Sequence, residues 1–188
     1  MKSIFILAPV LLVAAQISAA PIKVNREPKV PLARPETEHQ PRSLCTRTRL
    51  VNLYRMTNAV EHFYTTNVWE RQWLAAWTGY AADRNTARAL VFKTQQPHTR
   101  ALHRLYDGAD HFYTADDAEK DEALEDGGFA YEGVAGFIYE TPECGSVPLY
   151  RLYNGQDHFY TADEDESRDA QENRGYGAQG IAGYVLDT

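Results

Sequence analysis

Alternating apolar and polar positions recur along this chain in a unit written three times. Each unit opens on a strand-like run: Val51-Asn52-Leu53-Tyr54-Arg55-Met56, Leu102-His103-Arg104-Leu105-Tyr106 and Leu149-Tyr150-Arg151-Leu152-Tyr153. A polar turn follows, Asp107-Gly108-Ala109-Asp110 in the second unit and Asn154-Gly155-Gln156-Asp157 in the third. Asp-Gly and Asn-Gly between aromatic, alternating runs predict a hairpin. Its returning arm is His-Phe-Tyr-Thr behind an acid: Glu61 to Thr65, Asp110 to Thr114 and Asp157 to Thr161.

The period then switches from two to that of a helix. Two residues past each Thr stand Asn67, Asp116 and Asp163, and three further on stand Glu70, Glu119 and Glu166. This is the pattern of a capping box, in which the cap side chain satisfies a free amide and the Glu reaches back to the cap. Each helix is expected to stop at Gly79, Gly128 or Gly175, where glycine takes a left-handed conformation without strain. A closing strand region follows, Tyr131 to Tyr139 matching Ala178 to Leu186, whose paired glycines predict a bulge or tight turn. The first unit reads Asp83 to Phe92 there and lacks both glycines. No unit can bury its own face, so the three are expected to close together. The predicted fold is mainly β with short helices: a pseudo-threefold β-trefoil-like barrel of three repeats, one helix per repeat, because closure removes sheet edges. The repeats span about 45–100, 101–147 and 148–188.

The ends of the 188-residue chain follow other patterns. Lys2, the apolar run Ile4 to Ala15 and the small residues Ser18, Ala19 and Ala20 predict a signal peptide over residues 1–19, cut after Ala19. Residues 20–44 carry five prolines among charged residues and predict a disordered, Pro-rich leader. The repeat domain occupies 45–188. Its two cysteines, Cys45 and Cys144, predict one disulfide in an oxidising compartment. A secreted, extracellular protein without membrane insertion is expected. No Asn-x-Ser/Thr site occurs.

Charge is unevenly spread. From Cys45 to Arg100 eight basic residues meet three acids, Glu61, Glu70 and Asp83; from Ala101 onward twenty acids meet five bases. So many carboxylates repel phosphate backbones and argue against a nucleic-acid partner. The acids crowd helix starts, where the helix dipole favours them, and do not match an EF-hand loop.

The motifs resemble a secreted repeat family of unknown function. Its units read Leu-Tyr-Arg-Leu-Tyr-Asn, then Asp-His-Phe-Tyr-Thr, then Gly-Tyr or Gly-Trp, then Glu-Gly-Ile/Val-Ala-Gly-Tyr, and it occurs in exported fungal proteins and on bacterial surfaces. The match runs from Leu53 to the C-terminus. It is looser in repeat one, where Thr57 replaces the second Tyr. The resemblance implies a binding module, for polysaccharide or glycoprotein, and brings no catalytic residues with it.

Two constellations are candidates for ligand binding. The first is the repeated polar set Asp110, His111 and Tyr113 with Asp157, His158 and Tyr160. His62, His111 and His158 could hold zinc if they met on an axis, but a hydrogen bond from each to its own acid neighbour is the favoured reading. The equal separation of Arg55, Arg104 and Arg151 from Glu61, Asp110 and Asp157 points to a salt bridge across each hairpin. The second constellation is Trp69, Trp73 and Trp77, one stripe of the first helix. In the other repeats those positions are Ala118, Glu122 and Asp126, and Asp165, Asp169 and Asn173, whereas Leu74 aligns with Ala123 and Ala170. The stripe thus lies on a face that is polar elsewhere, open to sugar, to a protein partner or to cover by the leader. No nucleophile elbow or zinc-protease motif is present. The expectation is a secreted, monomeric, non-enzymatic module without cofactor or metal, recognising carbohydrate. The rivals are a protein-binding effector or protease inhibitor and a structural wall component.

Overall fold

The computed structural model describes Cys45, residues 47–83 and residues 87–188. The expectations for the signal peptide and the leader, including its cover of the tryptophans, fall on residues 1–44, outside the described residues. Repeat one contributes β1 (Leu50–Asn52), β2 (Tyr54–Thr57), β3 (His62–Thr65), α1 (Val68–Trp77), β4 (Ala81–Ala82) and β5 (Ala89–Phe92). Repeat two gives β6 (Thr99–Tyr106), β7 (His111–Thr114), α2 (Asp117–Glu125) and β8 (Ala130–Tyr139). Repeat three gives β9 (Val147–Tyr153), β10 (His158–Thr161), α3 (Glu164–Asn173) and β11 (Gly177–Asp187). The domain is mainly β, with three short helices and antiparallel sheets.

Each repeat makes the predicted hairpin, with Arg55, Arg104 and Arg151 opposite Tyr64, Tyr113 and Tyr160. The turn is held by a side chain rather than by a two-residue loop. Asn58, Asp107 and Asn154 each accept two backbone N–H bonds from the residues two and three ahead. In repeats two and three the closing strand lies on the other side of the hairpin, β8 on β6 and β11 on β9. The predicted bulges are there: Glu132 and Gln179 are the unpaired residues, each followed by a glycine at positive φ opposite Arg104 or Arg151. Ala135 and Ala182 are bulged in the same way.

The strands do not form a closed barrel among the described residues, which corrects the expected closure. They form one eight-stranded sheet, β10-β9-β11-β5-β8-β6-β7 with β1 on β5, and a separate sheet β3-β2-β4. The ends of the closing strands β5, β8 and β11 pair with one another in a triangle, each pairing only one or two residues long. Glycine admits this approach. A Cβ on Gly183 would stand 2.4 Å from Ile138 Cδ1, and one on Gly136 would stand 2.7 Å from Val91 Cγ2.

Inside, the core is built of matched triplets: Leu53, Leu102 and Leu149; Val91, Ile138 and Val185; and the three tyrosines. Each fully buried Leu contributes about 1.5–3 kcal/mol. The tyrosines stand edge to face with centroids 5.4–5.5 Å apart and bond in a cycle. Tyr64 Oη donates to Tyr160 O, Tyr160 Oη to Tyr113 O, and Tyr113 Oη to Tyr64 O. Each hydroxyl also accepts the backbone N–H of the same residue it serves. Burial pushes all three hydroxyls up from their ordinary pKa, so they stay protonated and keep donating.

Helix starts differ from the expected box in one detail. Asn67, Asp116 and Asp163 do cap, each accepting from the two amides two and three residues ahead. The N–H of each cap, however, donates to the hydroxyl of the strand-ending Thr65, Thr114 or Thr161. That hydroxyl in turn donates to Glu70, Glu119 or Glu166. The Glu is therefore relayed to the cap through Thr and keeps oxygen lone pairs for another repeat. Gly79, Gly128 and Gly175 end the helices at positive φ, as predicted.

Candidate functional site

The repeated polar residues form the joints between repeats. Each Arg grips the Glu of the preceding repeat in a two-bond fork: Arg104 with Glu70 at 3.0 and 3.0 Å, Arg151 with Glu119 at 2.8 and 2.7 Å, Arg55 with Glu166 at 2.9 and 2.6 Å. This replaces the salt bridge expected across each hairpin. The histidines behave alike. Nδ1 of His111 meets Glu61, that of His158 meets Asp110, and that of His62 meets Asp157, at 2.8, 2.5 and 2.6 Å. The same acids accept the backbone N–H of those histidines. Each His therefore bonds the acid of the repeat before it in the cycle and not its own acid neighbour. Phe63, Phe112 and Phe159 lie beneath the guanidinium groups of Arg104, Arg151 and Arg55, 4.8–5.2 Å from ring centre.

Asp110, His111, Tyr113, Asp157, His158 and Tyr160 are consequently buried and joined to other repeats. Their polar atoms hold the fold, which takes them away from the ligand-facing role expected of them; of the six, His158 also borders a cavity, described below. No group of three or more His, Cys, Asp or Glu side chains among the described residues is placed to hold a metal ion.

Two of the joints hold a carboxyl that is depressed by its partners. Burial works to raise the carboxyls of Glu70 and Glu119, but the hydrogen bonds from Arg104 and Thr65, and from Arg151 and Thr114, outweigh it and hold both below the ordinary range. A depressed carboxyl contributes stability that is present above its unfolded pKa of about 4.3 and is lost as pH falls through the folded value. Thermal unfolding followed at pH 6, 5, 4 and 3 should show a flat midpoint down to about pH 5 and a fall below it. A midpoint unchanged at pH 3 would remove these joints from the account of stability.

The tryptophan stripe is different in kind. α1 buries none of its residues, and Trp69, Trp73 and Trp77 are 79 %, 59 % and 78 % exposed. Leu74 is the half-buried residue that faces inward, as are Ala123 and the fully buried Ala170. The indoles line a shallow surface depression of about 580 Å³ with Asn67, Glu70 and Gln72.

A second concavity, of about 450 Å³, lies at the joint of repeats two and three. Phe112 and Phe129 form its apolar wall, Arg151, His158 and Gln179 its polar side, and Glu122 and Asp126 border it. Sequence reasoning missed this site. The available signal was the register of the repeats, which aligns Asp83, Glu132 and Gln179, but the diverged first repeat hides it.

The described residues form a mainly β domain with three short helices and antiparallel sheets, joined by buried polar contacts and presenting aromatic surface outside. Residues 47–186 match a family described as a domain of unknown function (DUF5648), and the chain belongs to that family. No curated protein and no solved structure matches the chain.

Proposed function

We propose that this is a secreted, non-catalytic binding module that recognises carbohydrate through Trp69, Trp73 and Trp77. The observation that carries this reading is the exposure of three indoles on a helix that buries nothing. An apolar aromatic surface of this size left open to water is the mark of a contact site. Flat indole faces stack on the C–H faces of sugars, and the side-chain amides of Asn67 and Gln72 beside them offer bonds to hydroxyls. The scaffold belongs to the same reading: a pseudo-threefold, β-trefoil-like arrangement, supported by the cyclic order of the Tyr, His–acid and Arg–Glu contacts and by the triangle of closing strands. Export is supported by a Cys45–Cys144 disulfide. Among the described residues no helix is long and apolar enough to cross a membrane.

A glycan array run beside a panel of extracellular proteases tests this, using the wild-type chain and the variant W69A/W73A/W77A. Wild type should bind glycans, and the triple variant should lose at least about tenfold in affinity, roughly 1.4 kcal/mol. Its unfolding midpoint should stay unchanged or rise slightly, since alanine is the better helix former. Binding to a protease with no glycan bound would transfer the surface to protein recognition and sink the carbohydrate reading.

A further inference from the structure

The three joints are built to one plan and one of them is incomplete. In repeats one and two a carboxylate from the segment after the helix faces the Arg Nε. Asp83 holds this place for Arg55: its N–H donates to Arg55 O, and its Oδ2 accepts from Arg55 Nε at 2.8 Å. Glu132, the bulged residue of β8, holds it for Arg104: Oε2 stands 2.9 Å from Nε, an ionic contact off the hydrogen-bond direction. The same Oε2 is 3.3 Å from His111 Nε2. Gln179, the bulged residue of β11, takes the equivalent chain position in repeat three; it is an exposed, neutral amide that lines the cavity. Arg151 Nε is buried without a hydrogen-bond partner. The Tyr160 hydroxyl, bonded to the backbone of Tyr113, also lies against the Arg151 guanidinium and helps to keep it charged. His158 gives Nδ1 to Asp110, and its Nε2 has no partner among the described residues.

Two guanidinium groups thus have a second carboxylate, whereas the third has none and borders a cavity. The wall beside that cavity differs in the same joint. Phe129 stands where the other repeats have Tyr80 and Tyr176, whose hydroxyls donate to Glu61 and Asp157. We propose that the cavity between repeats two and three binds one carboxylate of a hydroxylated molecule, a uronic acid unit of an acidic glycan, in the place Glu132 fills one repeat earlier. The carboxylate meets Arg151 Nε and His158 Nε2, and the Phe112–Phe129 wall takes the apolar face of the ring. Glu122 and Asp126 accept from its hydroxyls. Those two acids, with Glu119 already paired to Arg151, disfavour a phosphate monoester, which would bring more charge and no compensating donors.

The inference rests on the carbohydrate reading but uses a different surface, so the two can fail separately. Calorimetric titration of the protein with trisaccharides of galacturonate, mannuronate and glucuronate, with their methyl esters and with a neutral galactose trisaccharide, tests it. At least one uronate should bind about one to one, and its methyl ester at least about tenfold more weakly. Gln179→Glu supplies the carboxylate from within; it should weaken uronate binding at least about tenfold and raise the unfolding midpoint. Gln179→Ala, which leaves the place open, should bind within about threefold of wild type and covers the case in which Gln179→Glu fails to fold. Binding unaffected by Gln179→Glu, ester binding equal to acid binding, or no uronate bound would overturn the site. Neutral glycan held at the Trp stripe with no uronate bound would overturn this proposal alone. No glycan bound at all would overturn both.

Discussion

Replacing Arg55 with Met should cost about 3–5 kcal/mol at pH 7, the loss expected when one partner of a buried ion pair is removed. The side chain is 1 % exposed, and it holds two carboxylates, Glu166 by a fork and Asp83 through Nε. Methionine fills much of the volume and neutralises neither acid, so both are left in a poorly solvated joint. Lys at this position should recover little, since a point charge cannot reproduce the fork. The equivalent Arg104→Met and Arg151→Met changes should cost less, in that order. Both guanidinium groups are more open to water, and Arg151 has one carboxylate instead of two. Denaturant titration of the three variants at pH 7 measures this. An Arg55→Met protein within about 1 kcal/mol of wild type would mean that the joints do not hold the repeats together.

The steep cost at the joints contrasts with the freedom of the helix faces. α1 and α2 bury no residue, and α3 buries only Ser167 and Ala170. What each helix must supply is its cap, its Glu and one small or apolar inward residue. Every other position can change without touching the cyclic contacts. Repeat one therefore carries Trp73 and Trp77 where repeat two carries Glu122 and Asp126, on an unchanged frame. The same separation explains how Gln179 can stand in for a carboxylate: the Arg151–Glu119 fork survives, and only the second ligand of Arg151 is given up.

Local features were legible in the sequence for this reason and long-range ones were not. Hairpins, caps, bulges and helix stops depend on neighbours within a few residues, and Asn67, Gly133 and Gly175 announce them directly. The disulfide followed from having only two cysteines. The outward tryptophans followed from aligning Trp73 with Glu122 and Asp169. Which acid a histidine meets depends instead on how repeats are placed in space. His62 lies beside Glu61 in the chain yet bonds Asp157, 95 residues away. The arginine spacing suggested an internal pair because both members face the same hairpin, but the register leaves Glu61, Asp110 and Asp157 turned to the next histidine. The repeat period demands only that three units share a core, and side-chain contacts link them where strand ladders do not.

Reducing the Cys45–Cys144 disulfide should lower stability by about 3–4 kcal/mol. The bridge spans 99 residues and so closes a long loop of the unfolded chain, where the chain-entropy estimate approaches about 4.7 kcal/mol. The native structure also depends on what it fastens. β1 is three residues long and, among the described residues, pairs in the sheet with β5 alone, so few ladder bonds hold it. Cys144 sits in the connection from β8 to β9 and packs with the Phe92, Tyr139 and Leu186 cluster, which joins the closing strands of all three repeats. Loss of the bridge should therefore free β1 first and loosen the β5–β8–β11 triangle next, while the tyrosine ring persists. Hydrogen exchange on reduced and oxidised protein would show this as faster exchange at Val51 and Val91 with Tyr64, Tyr113 and Tyr160 amides still protected. Uniform loss of protection would mean that the domain unfolds as one unit. An unchanged pattern with an unchanged midpoint would mean that the bridge contributes nothing to stability.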